Sequence, residues 1–227
     1  MRKRFFITGT DTEVGKTAIA TGLLALARQR GLRSLALKPV AAGADVGTDG
    51  LRNDDALALM AQATVALSYE QVNPVVFEAP IAPHIAARQA GRRLTVSRLA
   101  GYCRGALMTP HDVAIIEGAG GWRVPLSGRE TLAGLAVELE LPVILVVGLK
   151  LGCLNHALLT AEAIRRDGLP LVGWVANTVD ADMRCPDDNL ETLKALLPAP
   201  CLGVVPRLAD CRAERVAEYL NGEALFA

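Results

Sequence analysis

Short runs of consecutive apolar residues alternate along this chain with longer stretches in which apolar residues recur at helical spacing. Apolar runs without strict alternation are typical of strands buried on both faces, as in a parallel sheet covered by helices. The strands predicted in this way are residues 4–8, 34–38, 113–117, 143–148, 171–177 and 201–205.

The stretches between these runs have the spacing of amphipathic helices, and the first of them stops at Gly31, a residue suited to ending a helix. Residues 42–52 are rich in Gly and Asp and are predicted to be a loop. Regular alternation of strand and helix predicts an α/β fold with a doubly wound, mainly parallel sheet flanked by helices. The predicted helices are residues 16–30, 54–62, 95–108, 131–139, 155–167, 189–196 and 212–220.

Polar residues follow several of the predicted strands at the point where each strand ends. Lys38 and Glu117 end the second and third strands, Lys150 follows the fourth, and Asn177 ends the fifth. The carboxyl ends of parallel strands lie at one edge of a sheet, where ligands of doubly wound folds bind. We therefore expect these side chains to surround one site.

A Gly-rich segment, residues 9–17, lies between the first strand and the first helix and reads GTDTEVGKT. It resembles the phosphate-binding loop G-x-x-x-x-G-K-[ST], with one extra residue between the two glycines. Its backbone N–H groups would face phosphates at a helix N-terminus, Lys16 would reach the β- and γ-phosphates, and Thr17 would ligate Mg²⁺. Glu13 is unusual here because a carboxylate repels phosphates; it would contact a basic substrate group or a neighbouring loop, or be solvated.

Mg²⁺ prefers oxygen ligands, and carboxylates at the same sheet edge are the candidates. Glu117 would emerge there directly after a buried strand. Asp54 and Asp55 open a predicted helix, where one carboxylate would cap the helix and the other would be free to meet the metal.

Composition narrows the function further. The 227 residues suit a single domain, and Lys+Arg equal Asp+Glu at 24 each, so no overall basic field exists to hold nucleic acid. No apolar run reaches the roughly 18 residues needed to span a bilayer. The five cysteines are odd in number and form no Cys-x-x-Cys pair, which fits a cytoplasmic protein without disulfides or a zinc site.

Several motifs together resemble the dethiobiotin synthetase family, from about residue 4 to about residue 208. The extended phosphate loop combined with Lys38-Pro39-Val40 is the most specific part. The other motifs that carry the resemblance are 50–56 (GLRNDDA), 73–74 (NP), 82–84 (APH), 117–121 (EGAGG), 151–156 (LGCLNH) and 173–177 (GWVAN).

The resemblance implies a P-loop NTPase fold and a specific reaction. 7,8-Diaminopelargonic acid, CO₂ and ATP would give dethiobiotin, ADP and phosphate in biotin synthesis. A carbamate of the diamine would attack the γ-phosphate to give a carbamic–phosphoric anhydride, and the second amine would then close the ureido ring and release phosphate. The resemblance also implies a homodimer whose substrate binds near the subunit interface.

The resemblance assigns roles to individual residues. Lys38, with Lys16, would be catalytic, and Mg²⁺ would be held by Thr17, Asp55 and Glu117. A strand-end lysine paired with Asp55 or Glu117 is the alternative interpretation of Lys38. The residues implied to bind diamine are Thr12, Lys38, Ala42, Gly152 and Asn155. The residues implied to bind ATP are Glu13, Val14, Gly15, Lys16, Thr17, Ala18, Asp55, Glu117, Gly118, Ala119, Gly120, Asn177, Thr178, Pro206, Arg207 and Leu208.

Three positions depart from the family pattern: Ala42 replaces a serine, Thr178 an aspartate and Arg207 an aromatic residue. Asn155 would also serve as the cap of its predicted helix.

Two other functions stay open at this point, a partition-type ATPase switch and a nucleotide-binding paralogue without synthetase activity. Partition switches carry an additional early lysine in the loop, which is absent between Gly9 and Gly15. An amide-forming synthase of the cobyrinic acid type would need a glutaminase domain, for which this chain has no room.

Overall fold

The structure is a computed structural model that describes residues 2–226. Its strands are β1 Lys3–Gly9, β2 Ser34–Leu37, β3 Val40–Ala42, β4 Asp45–Gly47, β5 Gly50–Arg52, β6 Val75–Phe77, β7 Val113–Gly121, β8 Val143–Leu149, β9 Leu171–Thr178 and β10 Cys201–Val205. Its helices are α1 Lys16–Gln29, α2 Asp54–Gln62, α3 Tyr69–Val72, α4 Pro83–Gln89, α5 Val96–Ala106, α6 Ala133–Glu138, α7 Cys153–Arg166, α8 Pro186–Leu196, α9 Ala213–Ala217 and α10 Glu223–Phe226.

Six of the strands form one parallel sheet in the order β10-β9-β8-β1-β7-β2. Consecutive residues of a strand pack on opposite faces: Phe6 and Ile116 face a cluster that includes α5 and α6, while Ile7 and Ile115 face a cluster built around α1. Both faces are therefore buried, which explains the uninterrupted apolar runs. The predicted doubly wound α/β fold is confirmed.

The register of the sheet sets the geometry of its carboxyl edge. Leu37 of β2 pairs with Ile116 of β7, and Ile7 of β1 pairs with Glu117. The residue after Leu37 is Lys38, so Lys38 and Glu117 lie side by side, next to the start of the loop that follows β1. Sheet pairing alone thus brings Lys38, Glu117 and the phosphate loop together.

Residues 42–52 are not the plain loop predicted from their composition. β3 ends at Ala42 and pairs with β6, and β4 and β5 form a small antiparallel hairpin around Thr48 and Asp49. Gly50 takes φ +95°, a conformation that L side chains rarely adopt. Gly and Asp therefore mark a tight hairpin turn here.

The C-terminal segment is packed onto the main sheet. α9 lies against α1, and the contact is close because an added Cβ at Gly22 would come within 2.8 Å of Val216 Cγ1. Gly203 of β10 forms an isolated antiparallel bridge with Leu220. Among the residues described, no helix is long and apolar enough to cross a membrane.

Candidate active site

The loop between β1 and α1, where phosphate binding is predicted, leads directly into the N-terminus of α1. Gly15 has φ +87° and immediately precedes the first helical residue, Lys16. The amide nitrogen of Asn177 donates to the Val14 carbonyl at 2.9 Å, and an added Cβ at Gly15 would lie 2.2 Å from that nitrogen. The loop is therefore held by β9 from one side, at a distance that only glycine tolerates.

Lys16 turns back over this loop and donates to the Asp11 carbonyl at 3.0 Å. Burial, together with the nearby positive charge of Lys38, lowers the pKa of Lys16 to about 8. Lys16 and Lys38 therefore lie close enough to repel each other. Two cations this close together would suit a highly charged anion such as a phosphate.

Lys38 is buried between two carboxylates. Its Nζ lies 2.7 Å from Asp55 Oδ2 and 2.6 Å from Glu117 Oε1, and it donates to the Gly118 carbonyl at 3.3 Å. Burial disfavours the charged ammonium, but the charges of Glu117 and Asp55 outweigh it and raise the pKa of Lys38. The structure shows the ion pairs of the alternative interpretation, and it also places Lys38 in the lining of the cleft; its catalytic role stays a prediction.

Glu117 is completely buried, and it lies within β7 rather than at its end, which corrects the predicted strand boundary. The strand continues because Gly121 pairs with Gly9 of β1. Glu117 Oε1 accepts hydrogen bonds from Lys38 and from the Thr17 hydroxyl at 2.9 Å, whereas Oε2 has no hydrogen-bond partner. A buried carboxylate oxygen without a partner is costly and is suited to a bound cation.

Asp55 lies in the first turn of α2, but neither Asp54 nor Asp55 caps the helix as predicted. Asn53 is the cap, and its side-chain oxygen accepts from the Ala56 N–H at 3.3 Å. Asp55 is thereby free to reach Lys38. Burial opposes ionisation of Asp55, yet the charge of Lys38 and hydrogen bonds from Lys38 and Thr17 lower its pKa, so it is an anion at neutral pH.

The donor set fits a hard divalent cation. The Thr17 hydroxyl donates to Glu117, and Lys38 donates to both Asp55 and Glu117. Thr17, Asp55 and Glu117 would each offer an oxygen atom as a metal ligand. Within residues 2–226, no group of three or more His, Cys, Asp or Glu side chains is arranged to hold a metal ion. Two carboxylates and a hydroxyl, completed by phosphate oxygens and water, match the way Mg²⁺ binds with nucleotides.

These residues line a cleft of about 800 Å³. The predicted site residues that line it are Thr12, Glu13, Gly15, Lys16, Thr17, Lys38, Ala42, Asp55, Glu117, Ala119 and Gly120. Glu13 is exposed and has φ +58°, which is uncommon for a residue other than glycine.

The cleft also has an apolar wall that the sequence analysis did not assign. Its members are uncharged and come from the end of β3, the approach to α4 and the turn after β7, and they include Ala41, Pro80, Ile81, Ala82, Pro83, Val124 and Pro125. The Ala82-Pro83 dipeptide was a usable signal, because proline at the first position of a helix marks a helix start.

Other predicted residues lie outside this cleft. Asn177 contacts the phosphate loop from β9, Val14 is a buried member of that loop, and the Gly118 carbonyl accepts from Lys38. Asn155 is the third residue of α7, which begins at Cys153 with Gly152 as its cap, so Asn155 is not the helix cap. The remaining predicted residues that do not line the cleft are Ala18, Thr178, Pro206, Arg207 and Leu208.

Comparisons with known proteins agree with this geometry. Residues 3–215 match the AAA domain family. The MinD septum site-determining protein of Pyrococcus horikoshii, solved with Mg-ADP, superposes with a TM-score of 0.60 at 17% identity, covering 97% of this chain and 87% of that one. FtsY of Elizabethkingia anophelis gives 0.54 at 16% identity, covering 100% and 66%. At these identities the likeness shows the fold alone, that of P-loop NTPases.

Sequence relatives are more specific. The ATP-dependent dethiobiotin synthetase BioD of Cellvibrio japonicus is 62% identical over 220 residues, covering 97% of this chain and 96% of the relative. The enzyme of the same name from Chromohalobacter salexigens is 58% identical, covering 96% and 97%. The family resemblance drawn from the motifs is confirmed, and nothing in these matches favours a partition-type switch or an inactive paralogue. The chain belongs to the ATP-dependent dethiobiotin synthetase family.

Proposed function

We propose that this chain closes the ureido ring of dethiobiotin from 7,8-diaminopelargonic acid, CO₂ and ATP, with Lys38 as the catalytic cation. The observation that carries this proposal is the position of Lys38. A buried ammonium is held between two carboxylates beside the lysine and threonine of a phosphate loop. The reaction joins two anions, a carbamate and the γ-phosphate of ATP, so charge neutralisation is its main requirement.

Both anions, the carbamate and the γ-phosphate, would meet a positively charged group in the cleft. Lys16 and the N–H groups at the start of α1 bind the phosphates, and Lys38 bridges the carbamate and the γ-phosphate. The carbamate oxygen attacks the γ-phosphorus as the bond to ADP breaks, and the resulting anhydride loses phosphate when the second amine attacks its carbonyl carbon. Thr17, Asp55 and Glu117 would hold Mg²⁺, which neutralises phosphate charge when bound.

The substrate would lie along the apolar wall, whose uncharged side chains suit an aliphatic chain. Ala42 lines the cleft and offers no hydroxyl. One hydrogen bond from the side chain at this position is lost relative to a serine, a cost of about 1 kcal/mol. Thr12, which also lines the cleft, remains available as a hydroxyl donor. Asn177 and the segment Pro206, Arg207 and Leu208 would border the adenine.

We further propose that two copies of residues 1–227, each one synthetase domain, form the functional unit. Leu151 is 91% exposed immediately before the start of α7, and Leu159 on the same helix is also exposed. A partner copy covering them would bring Gly152 and Asn155 towards its own cleft, where the N-terminus of α7 would attract the substrate carboxylate. Light scattering should then report about twice the chain mass of 24.0 kDa, and a monomer would contradict the dimer.

The cytoplasm is the proposed compartment. All five cysteines are free thiols, two of them exposed, as expected in a reducing environment. Cell fractionation that recovers the chain with a membrane or outside the cytoplasm would contradict this assignment.

The role of Lys38 is tested by the variant Lys38→Ala in an assay of dethiobiotin formation with diaminopelargonate, bicarbonate, Mg²⁺ and ATP. Turnover should fall by about three orders of magnitude or more, because the transition state loses its central cation, while ATP still binds through the separate phosphate loop. Lys194, an exposed lysine paired with Glu191 on α8, supplies the control Lys194→Ala, which should be fully active. Near-normal turnover of Lys38→Ala would refute the proposed mechanism.

A further inference from the structure

A chain of buried hydrogen bonds joins Asn53, which caps α2 and lines the cleft, to Tyr69 and Asn73, two side chains to which no role has so far been given. Asn53, Tyr69 and Asn73 are all nearly inaccessible to solvent. Buried polar side chains are retained only where their hydrogen bonds are satisfied, and fully satisfied networks rigidify the structure around them. Within residues 2–226, no atom of this network belongs to the buried polar atoms that lack a partner.

One end of the network holds the backbone of Lys38. The Asn73 amide donates to the Lys38 carbonyl at 2.6 Å and also to the Val75 carbonyl at 3.3 Å. The Lys38 N–H donates to the Val72 carbonyl at 2.8 Å. Both backbone polar groups of Lys38 are therefore fixed by the short segment of residues 72–73. Pro39 also restricts the backbone conformation of Lys38, the residue that precedes it.

Tyr69 forms the middle of the network. Its hydroxyl donates to Asn73 Oδ1 at 3.0 Å and accepts from the Asn53 N–H at 2.7 Å. Burial raises the pKa of Tyr69, although the hydrogen bond from Asn53 opposes it, so the hydroxyl keeps the proton that it donates. The Arg52 guanidinium covers the ring at 4.1 Å from its centroid. The hydroxyl thus uses both a donor and an acceptor function.

The other end of the network holds the start of α2. The Asn53 side chain donates to the Gly43 carbonyl at 2.9 Å and accepts from the Ala56 N–H. Asp55 lies two residues after Asn53, in the first turn. The same side chain therefore fixes the exit of β3, where Ala42 lines the cleft, and the helix turn that carries Asp55.

We propose that Tyr69, with Asn53 and Asn73, positions the pair Lys38 and Asp55 for catalysis. The network ties the backbone on both sides of the Lys38–Asp55 contact, whose two residues are 17 positions apart in sequence. The hydroxyl of Tyr69 joins the two ends, because it bonds to both Asn53 and Asn73. The inference rests on the proposed roles of Lys38 and Asp55, and it adds the residues that keep them in place.

The variant Tyr69→Phe removes this hydroxyl and keeps the ring. We expect kcat for dethiobiotin formation to fall about tenfold to a hundredfold, since displacement of a catalytic group by a fraction of an ångström is enough. The dissociation constant for ADP should stay within about threefold, because the phosphate loop is not part of the network. This separation of turnover from nucleotide affinity is not expected of a variant that is merely less stable.

Ser34 offers a matched control at the other end of β2. Its buried hydroxyl accepts from the Thr64 N–H at 3.2 Å, just beyond the C-terminus of α2. Ser34→Ala also removes a buried hydroxyl, one that links the start of β2 to the segment after α2, and should lower the melting temperature with kcat within about twofold of wild type. If Ser34→Ala loses as much kcat as Tyr69→Phe, or if Tyr69→Phe keeps kcat within twofold, the inference is wrong.

Asn53→Ser gives a second decision if Tyr69→Phe does not fold. Serine is also a good helix cap, so α2 should form, but the donor to the Gly43 carbonyl is lost. We expect a loss of kcat at an unchanged dissociation constant for ADP, and full activity would again overturn the inference. Turnover retained by Lys38→Ala would instead refute the proposed function, whereas inactive Lys38→Ala beside fully active Tyr69→Phe and Asn53→Ser would refute the positioning role alone.

Discussion

The phosphate loop of residues 9–17 and the segment that carries Lys38 and Asp55 border one cleft, but they are held by different kinds of interaction. The loop is shaped by backbone geometry: Gly15 has a positive φ, and its position against Asn177 leaves no room for a Cβ. Lys38 and Asp55 are held instead by side chains. Lys38 forms ion pairs with Asp55 and Glu117, and the buried hydrogen-bond network holds the backbone near both residues. We therefore expect ligand binding by the loop to be sensitive to added side-chain volume, and ligand binding beside Lys38 to be sensitive to the removal of charge.

The largest change in ligand affinity is expected at Gly15. Gly15→Ala places a methyl group 2.2 Å from Asn177 Nδ2 in a conformation with φ +87°, so the loop, the Asn177 side chain or both must move. Because the loop N–H groups are then misdirected, affinity for ADP should fall by about a hundredfold or more. Isothermal titration with Mg-ADP measures it.

Gly31 provides the comparison for this variant. It also has a positive φ, of +70°, but an added Cβ would meet nothing within 4 Å. Gly31→Ala should cost about 1 kcal/mol of folding stability and leave ADP affinity intact. If Gly15→Ala binds ADP within about threefold of wild type, the loop is not set by the tight approach of β9, and the contrast between the two regions fails.

The same contrast explains which parts of the molecule could be predicted from sequence. The six strands of the main sheet and the phosphate loop were predicted because apolar runs and glycine spacing reflect backbone geometry directly. Glu117 was placed at a strand end because the apolar run of residues 113–116 stops before it, yet pairing of Gly121 with Gly9 extends β7 through the glycines that follow. Tertiary pairing overrode local preference there.

The region around Lys38 was harder to predict because its elements are too short for periodicity. β3 and β6 have three residues each, and α3 has four. The start of α3 had a readable signal, since Ser68 and Gln71 form a capping box. Three adjacent residues, Asn53, Asp54 and Asp55, could each cap α2, and only the hydrogen bond to Ala56 distinguishes them. The Tyr69 network had no sequence signal, because it joins residues through contacts made only on folding.

A smaller effect is expected when charge is removed on the Lys38 side. The Lys38 ammonium lies 2.7 Å and 2.6 Å from the two carboxylates assigned to the cation. Lys38→Met leaves those carboxylates without their cation, and a divalent ion that replaces it recovers part of the lost attraction. Affinity for Mn²⁺ without nucleotide, measured by electron paramagnetic resonance, should therefore rise about tenfold.

Lys150→Met is the matched change for this experiment. Lys150 also pairs with an aspartate, Asp11, at 3.1 Å, but it does not contact Asp55 or Glu117. Both variants lower the net charge by one unit, so a general electrostatic effect would raise Mn²⁺ affinity equally in the two. A rise confined to Lys38→Met means that Lys38 is the counter-ion of the carboxylates in the metal-free protein. Unchanged Mn²⁺ affinity in Lys38→Met would mean that the carboxylates do not form the cation site. The segment that carries Lys38 and Asp55 would then not differ from the phosphate loop in its sensitivity to charge.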